Sequence, residues 1–242
     1  MMKRPWLWLA LALISLAPAA TAQGLDQIAT DASLSVRSVQ LILLVTVLSI
    51  APALMIMVTC FPFIVTVLSI LRQAIGLQQS PPNMLIISLA LFLTYFVMEP
   101  VFTKAWESGL SPYLNEQIEV EEAFEKTLMP FRVFMAARMN PDTFAKIAEL
   151  RPETTNAALS PDAPLSLLLP SFMLSEITRA FQIGFLVFLP FLIIDLLVAA
   201  ILMSMGMMMV PPALVSLPFK LAFFALADGW ALIAGALVRS YF

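Results

Sequence analysis

The sequence predicts an all-α, membrane-associated fold made of helical hairpins with kinked hydrophobic helices. Three observations lead there. Of the 242 residues, 61% are apolar and 12% charged, whereas an ordinary soluble domain is nearer half apolar and a quarter charged. Four hydrophobic segments run through the chain, at residues 39–71, 84–102, 183–204 and 210–238. No stretch alternates apolar and polar residues as a half-buried strand does. So much apolar surface needs lipid, a large partner surface, or both. The net charge of −3 lacks the basic stripe that nucleic acid requires.

The first two dozen residues read as a targeting segment. Lys3 and Arg4 form a basic start, Trp6 opens a short apolar core, and Ala20-Thr21-Ala22 has the small-x-small form of a cleavage site. Residues 1–22 are therefore expected to leave, which puts the new N-terminus outside the cytoplasm. An uncleaved first membrane helix is the alternative. Residues 39–71 would reach about 50 Å as one helix, longer than a hydrocarbon core of about 30 Å. Pro52 and Pro62 interrupt this run, so it is one long kinked helix or two helices in a hairpin. Gly76, Ser80, Pro81, Pro82 and Asn83 mark a turn before the second segment.

Residues 104–164 hold most of the charge, with an acidic cluster at Glu116, Glu119, Glu121, Glu122 and Glu125. Here Leu128, Phe131, Phe134 and Met135 fall at helical spacing. Asn140-Pro141-Asp142 reads as a helix start, with Asn140 as cap and Pro141 in the first turn. Phe144, Ile147 and Ala148 repeat the stripe, and residues 151–164 read as a loop. Three regions follow from this pass: a hydrophobic hairpin region at 23–103, a polar periplasmic one at 104–164, and a second hairpin region at 165–242.

Charges stand in costly places. Glu176 and Arg179 lie one helical turn apart before a span, Asp195 sits mid-run, and Lys220 and Asp228 interrupt the last segment. An unpaired charge at bilayer depth costs roughly 2.5–3.5 kcal/mol on insertion scales. These groups are expected to pair, Lys220 with Glu176 or Asp195, either between subunits or within the chain. Met203, Met205, Met207, Met208 and Met209 cluster beside Gly206 and Pro211-Pro212. Methionine is flexible and polarizable. The cluster reads as a compliant plug, as a gap-filling turn, or as a Cu(I) site, the last without a His or Cys to assist it.

The ordered motifs resemble a known family. The stretch from Pro170-Ser171-Phe172 through Glu176 and Arg179 to Gly184-Phe185 looks like the first signature of the flagellar biosynthetic FliP family. Phe188-Leu189-Pro190-Phe191-Leu192-Ile193-Ile194-Asp195 is similar to its second. Gly206 to Pro212, Leu217-Pro218-Phe219-Lys220, Asp228-Gly229-Trp230 and the Gln78-Gln79-Ser80-Pro81-Pro82-Asn83 turn continue the match. The resemblance implies a core subunit of the flagellar type III export gate, joined with sister copies, FliQ and FliR in a ring-like helical channel. It implies helices buried by neighbours above the bilayer plane, in the inner membrane's basal body. It also implies a channel gasket at Met207, Met208 and Met209, with Glu176 and Lys220 as the leading pair for assembly. Asp195, Arg179 and Asp228 are further candidates for subunit contact or buried charge. No cofactor is implied.

The virulence-type secretion homologue is the nearest rival, and it usually lacks a cleavable signal. A stand-alone secondary transporter would suit broken helices and intramembrane acids, but the segments show no inverted repeat. With no His, a single Cys60 and no Gly-rich phosphate loop, the residues offer no nucleophile–base pair, and an enzyme is not expected.

Overall fold

The computed structural model describes residues 32–76, 81–155, 157–207 and 209–242. The expected targeting segment at 1–22 and Met208 lie outside the described residues. Two compact units divide at Pro52: Met1–Pro52 and Ala53–Phe242. Among the described residues every regular element is a helix.

Helix α1, Ala32–Met57, supplies the described part of the first unit and runs on to Met57. Residues 37–50 are exposed around the whole circumference. From Leu41 to Ile50 the side chains are apolar apart from two hydroxyls, which turn inward: Thr46 and Ser49 donate to the carbonyls of Ile42 and Val45, each at 2.7 Å. A hydroxyl satisfied by its own helix adds little penalty in lipid.

The second unit is organised around α2, Phe61–Ile75. The apolar run 39–71 thus forms two helices, and the break lies at Val58–Cys60. Pro52 stays inside α1. Pro62 instead sits in the first turn of α2, where its missing N–H is no loss. Thr59 sets the break locally: its hydroxyl donates to Ile56 O and accepts from Phe61 N–H. Helix α2 is about 22 Å long, too short for a bilayer. Its Phe63, Ile64, Val67, Leu68 and Leu71 are fully buried.

Helix α3, Asn83–Ala105, packs on α2. It continues through a π turn at Trp106–Leu110 into a short α4, Ser111–Leu114. Helix α5, Val120–Arg138, packs back on α3. Pro130 leaves the carbonyl of Lys126 without its helical donor, and the hydroxyl of Ser108 from the π turn supplies one at 3.0 Å. Gly109 allows this approach, because a Cβ there would meet Thr127 Oγ1 at 2.1 Å and backbone atoms of Thr127 and Ala123 at 2.7 and 2.8 Å. Phe131 and Met135 are buried as the helical stripe predicts.

Asn140 caps α6, Pro141–Ala148, accepting from the N–H groups of Asp142 and Thr143 at 2.8 and 3.3 Å. Phe144 and Ala148 bury in one cluster with Leu167, Leu168 and Phe172. The loop at 151–164 is non-helical among its described residues, and Arg132 ties it down by donating to Pro161 O and Ala163 O, both at 3.1 Å.

Helix α7, Leu165–Ser204, has 40 residues, with Pro170 and Pro190 inside it. It begins well before the expected span at 183–204 and reaches about 60 Å, twice a hydrocarbon core. It lies along α2, with Gly184 against Ile70. The expected final segment 210–238 is broken into α8, Pro212–Leu226, and α9, Gly229–Arg239, bent by 61°. Asp228 makes the corner with φ 47°, a left-handed conformation that Asp tolerates better than most residues. Three described helical runs are long and apolar enough to cross a membrane, Arg37–Met57, Asn83–Leu114 and Leu165–Ser204, and a fourth if the bent pair counts as one.

Gly109→Ala is expected to destabilise the chain by about 1–3 kcal/mol, because backbone rather than a mobile side-chain tip must give way. Gly235→Ala, whose added Cβ would meet nothing nearer than Arg239 at 3.7 Å, is expected to be neutral or slightly stabilising. Melting temperatures of the two detergent-solubilised variants against the parent test the contrast.

Candidate functional site

Three features gather the residues that the sequence marks out: two buried ionic clusters along α7 and a methionine tip where α7 turns into α8.

The first cluster centres on Lys220. Helix α8 carries Ser216 and Lys220 one turn apart, so both face α7. The Lys220 ammonium donates to Asp195 Oδ2 at 2.5 Å and to Ala74 O at 3.0 Å. The Ser216 hydroxyl donates to the other carboxylate oxygen at 2.5 Å. Ala74 lies in the last turn of α2, which ends at Gly76 with φ 91°. A cation is favourable there, because carbonyls at a helix C-terminus lack intrahelical donors and carry partial negative charge. One ammonium therefore joins α2, α7 and α8.

The second cluster centres on Glu176, whose side chain is 0% exposed. The Tyr241 hydroxyl donates to Glu176 Oε2 at 2.5 Å, and Arg138 Nε lies 3.5 Å from Oε1. The Arg138 guanidinium sits 4.0 Å from the centroid of the Tyr241 ring and donates through Nη1 to Ser240 O at 2.8 Å. Phe63 and Phe134 enclose the same ring. Burial, and then the adjacent Glu176 carboxylate, holds the Tyr241 phenol above its usual range, so it remains a hydrogen-bond donor. This cluster joins α5, α7 and the residues after α9.

These geometries revise the expected pairing. Of the two partners considered for Lys220, the chain uses Asp195. Glu176 goes to Tyr241 and Arg138, and among the described residues no ion pair joins Glu176 to Lys220. Buried charge in this chain is thus paired internally. Arg179, half-buried one turn beyond Glu176, adds positive charge nearby without reaching ion-pair distance. Asp228 is exposed rather than buried, and shapes the α8–α9 corner through its backbone. Sequence reasoning missed Arg138, Ser216 and Tyr241. Arg138 continues the stripe of Phe131, Phe134 and Met135, and Ser216 stands one turn from Lys220, so both had a periodic signal. Tyr241 had none.

The methionine tip is open. Helix α7 ends at Ser204, and Gly206 takes φ 76° to turn the chain. Met203 is 61% exposed, Met205 66%, Met207 39% and Met209 97%. The side chains do not fill a gap inside the chain. Beside them α7 and α8 leave an apolar groove of about 550 Å³, lined by Ile194, Val198, Leu202, Met205, Val215 and Phe219. Soft thioethers presented this way can deform around an apolar neighbour. Among the described residues no group of His, Cys, Asp or Glu could hold a metal ion.

Lys220→Met is expected to destabilise the chain by about 3 kcal/mol, because Asp195 is left without its cation. Asp195→Leu added to it should recover much of that loss, as an apolar pair leaves no uncompensated charge. Denaturant unfolding in detergent measures both, and a double variant no better than the single one would contradict the pairing.

Comparison with known proteins agrees with the motifs. The sequence model of the FliP family matches residues 44–237. A flagellar biosynthetic protein FliP from Caulobacter vibrioides is 54% identical over 214 residues, covering 88% of this chain and 79% of the relative. The protein of that name from Agrobacterium fabrum is 48% identical over 199 residues, 82% of this chain and 81% of its own. That from Bacillus subtilis is 45% identical over 204 residues, 84% and 92%. With Glu176, Asp195, Lys220 and the methionine turn all inside the matched range, the chain belongs to the FliP family of flagellar biosynthetic proteins.

Proposed function

We propose that this chain is a pore-forming core subunit of the flagellar type III protein export gate, and that it gates the passage of unfolded flagellar proteins passively. In this reading about five copies surround a conduit, together with FliQ, FliR and other export-gate and basal-body proteins. The assembly stands in the bacterial inner membrane within the flagellar basal body. Residues 104–164 face the periplasm, and the helical regions at 23–103 and 165–242 build the wall.

The observation that carries this reading is the methionine tip. Its thioethers stand exposed at the end of a 40-residue helix, and the outer face of that helix is apolar at Phe181, Phe185, Ile193 and Leu197. Exposed apolar surface of this extent marks an interaction face. Side chains that satisfy nothing within their own chain suit a seal made by several chains. Met207, Met208 and Met209 form the gasket, soft enough to yield to a moving polypeptide and to close behind it. Glu176, Lys220 and Asp195 serve assembly by fixing each subunit's shape. Arg179 and Asp228, in no ion pair among the described residues, are the charges placed to meet a neighbour. The energy for export comes from elsewhere. The flagellar names of the relatives favour this reading over a virulence-type role.

Replacing Met207, Met208 and Met209 together with alanine is expected to make the resting assembly leak small ions. Ion flux through vesicles or cells carrying the full complex measures this. An unchanged leak with normal export would remove the gasket from the mechanism.

A further inference from the structure

We infer that the methionine turn is an oxidation-sensitive site, at which hydrogen peroxide converts thioether to sulfoxide and loosens the seal that this turn forms. The inference rests on the gasket reading above and adds a chemistry to it.

The described methionines include both closed and open environments. Met98 and Met135 are 0% and 1% exposed inside the helical core, where packing keeps a peroxide from the sulfur. The turn methionines Met205 and Met209 stand open, the latter almost completely. Gly206 turns the backbone there, and among the described residues no heavy atom lies within 4 Å of where its Cβ would be. A closure across an aqueous conduit also has water against it, and a small oxidant reaches what water reaches.

The reaction balances without further components. A lone pair of the thioether sulfur attacks one peroxide oxygen. The O–O bond breaks as the S–O bond forms, and the departing hydroxide takes the remaining proton to leave as water. Sulfur loses two electrons and the peroxide gains them. The product is polar and chiral where the thioether was apolar and flexible. Around Met205 lie Ile201, Leu202, Val215 and Phe219, whose groove offers almost no polar partner. A sulfoxide oxygen placed against such a surface must keep water with it or go unsatisfied. Either outcome opposes a dry seal. Sulfoxide reductases reverse the change, so the site can act in both directions.

Met84 is also exposed, at the start of α3, so accessibility alone does not distinguish the turn. The experiment treats the complete export complex in lipid vesicles with hydrogen peroxide, follows each methionine by peptide mass spectrometry, and records ion leak in parallel. The expected result is oxygen addition at the turn methionines ahead of Met98 and Met135, with leak rising toward that of the triple alanine variant. Methionine sulfoxide reductases should bring it back. In protein carrying Met205→Leu, Met207→Leu, Met208→Leu and Met209→Leu together, the peroxide-induced increment over that protein's own untreated leak should largely disappear. Oxidation of the turn without a change in leak overturns the inference and leaves the gasket standing. Turn methionines no more reactive than Met98 and Met135 overturn it as well, as does an undiminished increment in the leucine variant. Failure of the triple alanine variant to leak removes the gasket reading itself, and this inference with it.

Discussion

A single ammonium group holds the centre of this molecule together. Helix α2 is apolar and short, and its last carbonyls have no donor within the helix. Gly76 satisfies one by folding back to Gln73 O at 3.0 Å. Lys220 satisfies Ala74 O from another helix. Bringing that cation inside is tolerable only because Asp195 receives it and Ser216 completes the carboxylate. The same four groups fix where α7 and α8 lie on α2. The apolar contacts of Phe63, Ile64, Val67 and Leu71 add most of the cohesion, but they are non-directional. The ionic cluster adds the register.

The polar and apolar parts of the chain therefore divide their duties. Glu176, Asp195 and Lys220, charges that look functional in a hydrophobic sequence, turn to partners within the chain and build the subunit. Greasy residues that look structural point outward in large number, from Phe92 and Phe96 on α3 to Phe181 and Phe185 on α7. A chain with its ion pairs closed and its apolar faces open is suited to company, whether of lipid or of protein. Membership of the FliP family agrees with this arrangement, and the exposed turn at Gly206 is where the proposed gating chemistry concentrates.

What could be read from the sequence was what local physics decides. The stripe of Phe131, Phe134 and Met135 and the Asn140 cap depend on residues within two turns, and both appear where the spacing puts them. Proline gave mixed guidance. Pro52, Pro170 and Pro190 lie inside helices, while Pro62 marks a true start, because a hydroxyl at Thr59 was ready to close the preceding turn. The corner at Asp228-Gly229 had a signal in its dipeptide, hidden by the apolar residues on both sides. The length of α7 was less visible, since Glu176 and Arg179 read as standing before a span at 183–204, whereas a phenol and a guanidinium enclose Glu176 within one continuous helix. That enclosure spans 102 residues between Arg138 and Ser240, and no local pattern encodes a contact at such separation.

The two ionic clusters share α7, which makes that helix a ruler. Glu176 and Asp195 stand nineteen residues apart on it, a distance of about 28 Å. Each must face its own cluster at a fixed angle. Adding or deleting one residue between them would rotate one end against the other by about 100°, and one carboxylate would swing out of its cluster. Side chains along this stretch can vary in size and kind, but its residue count is locked by charge at both ends.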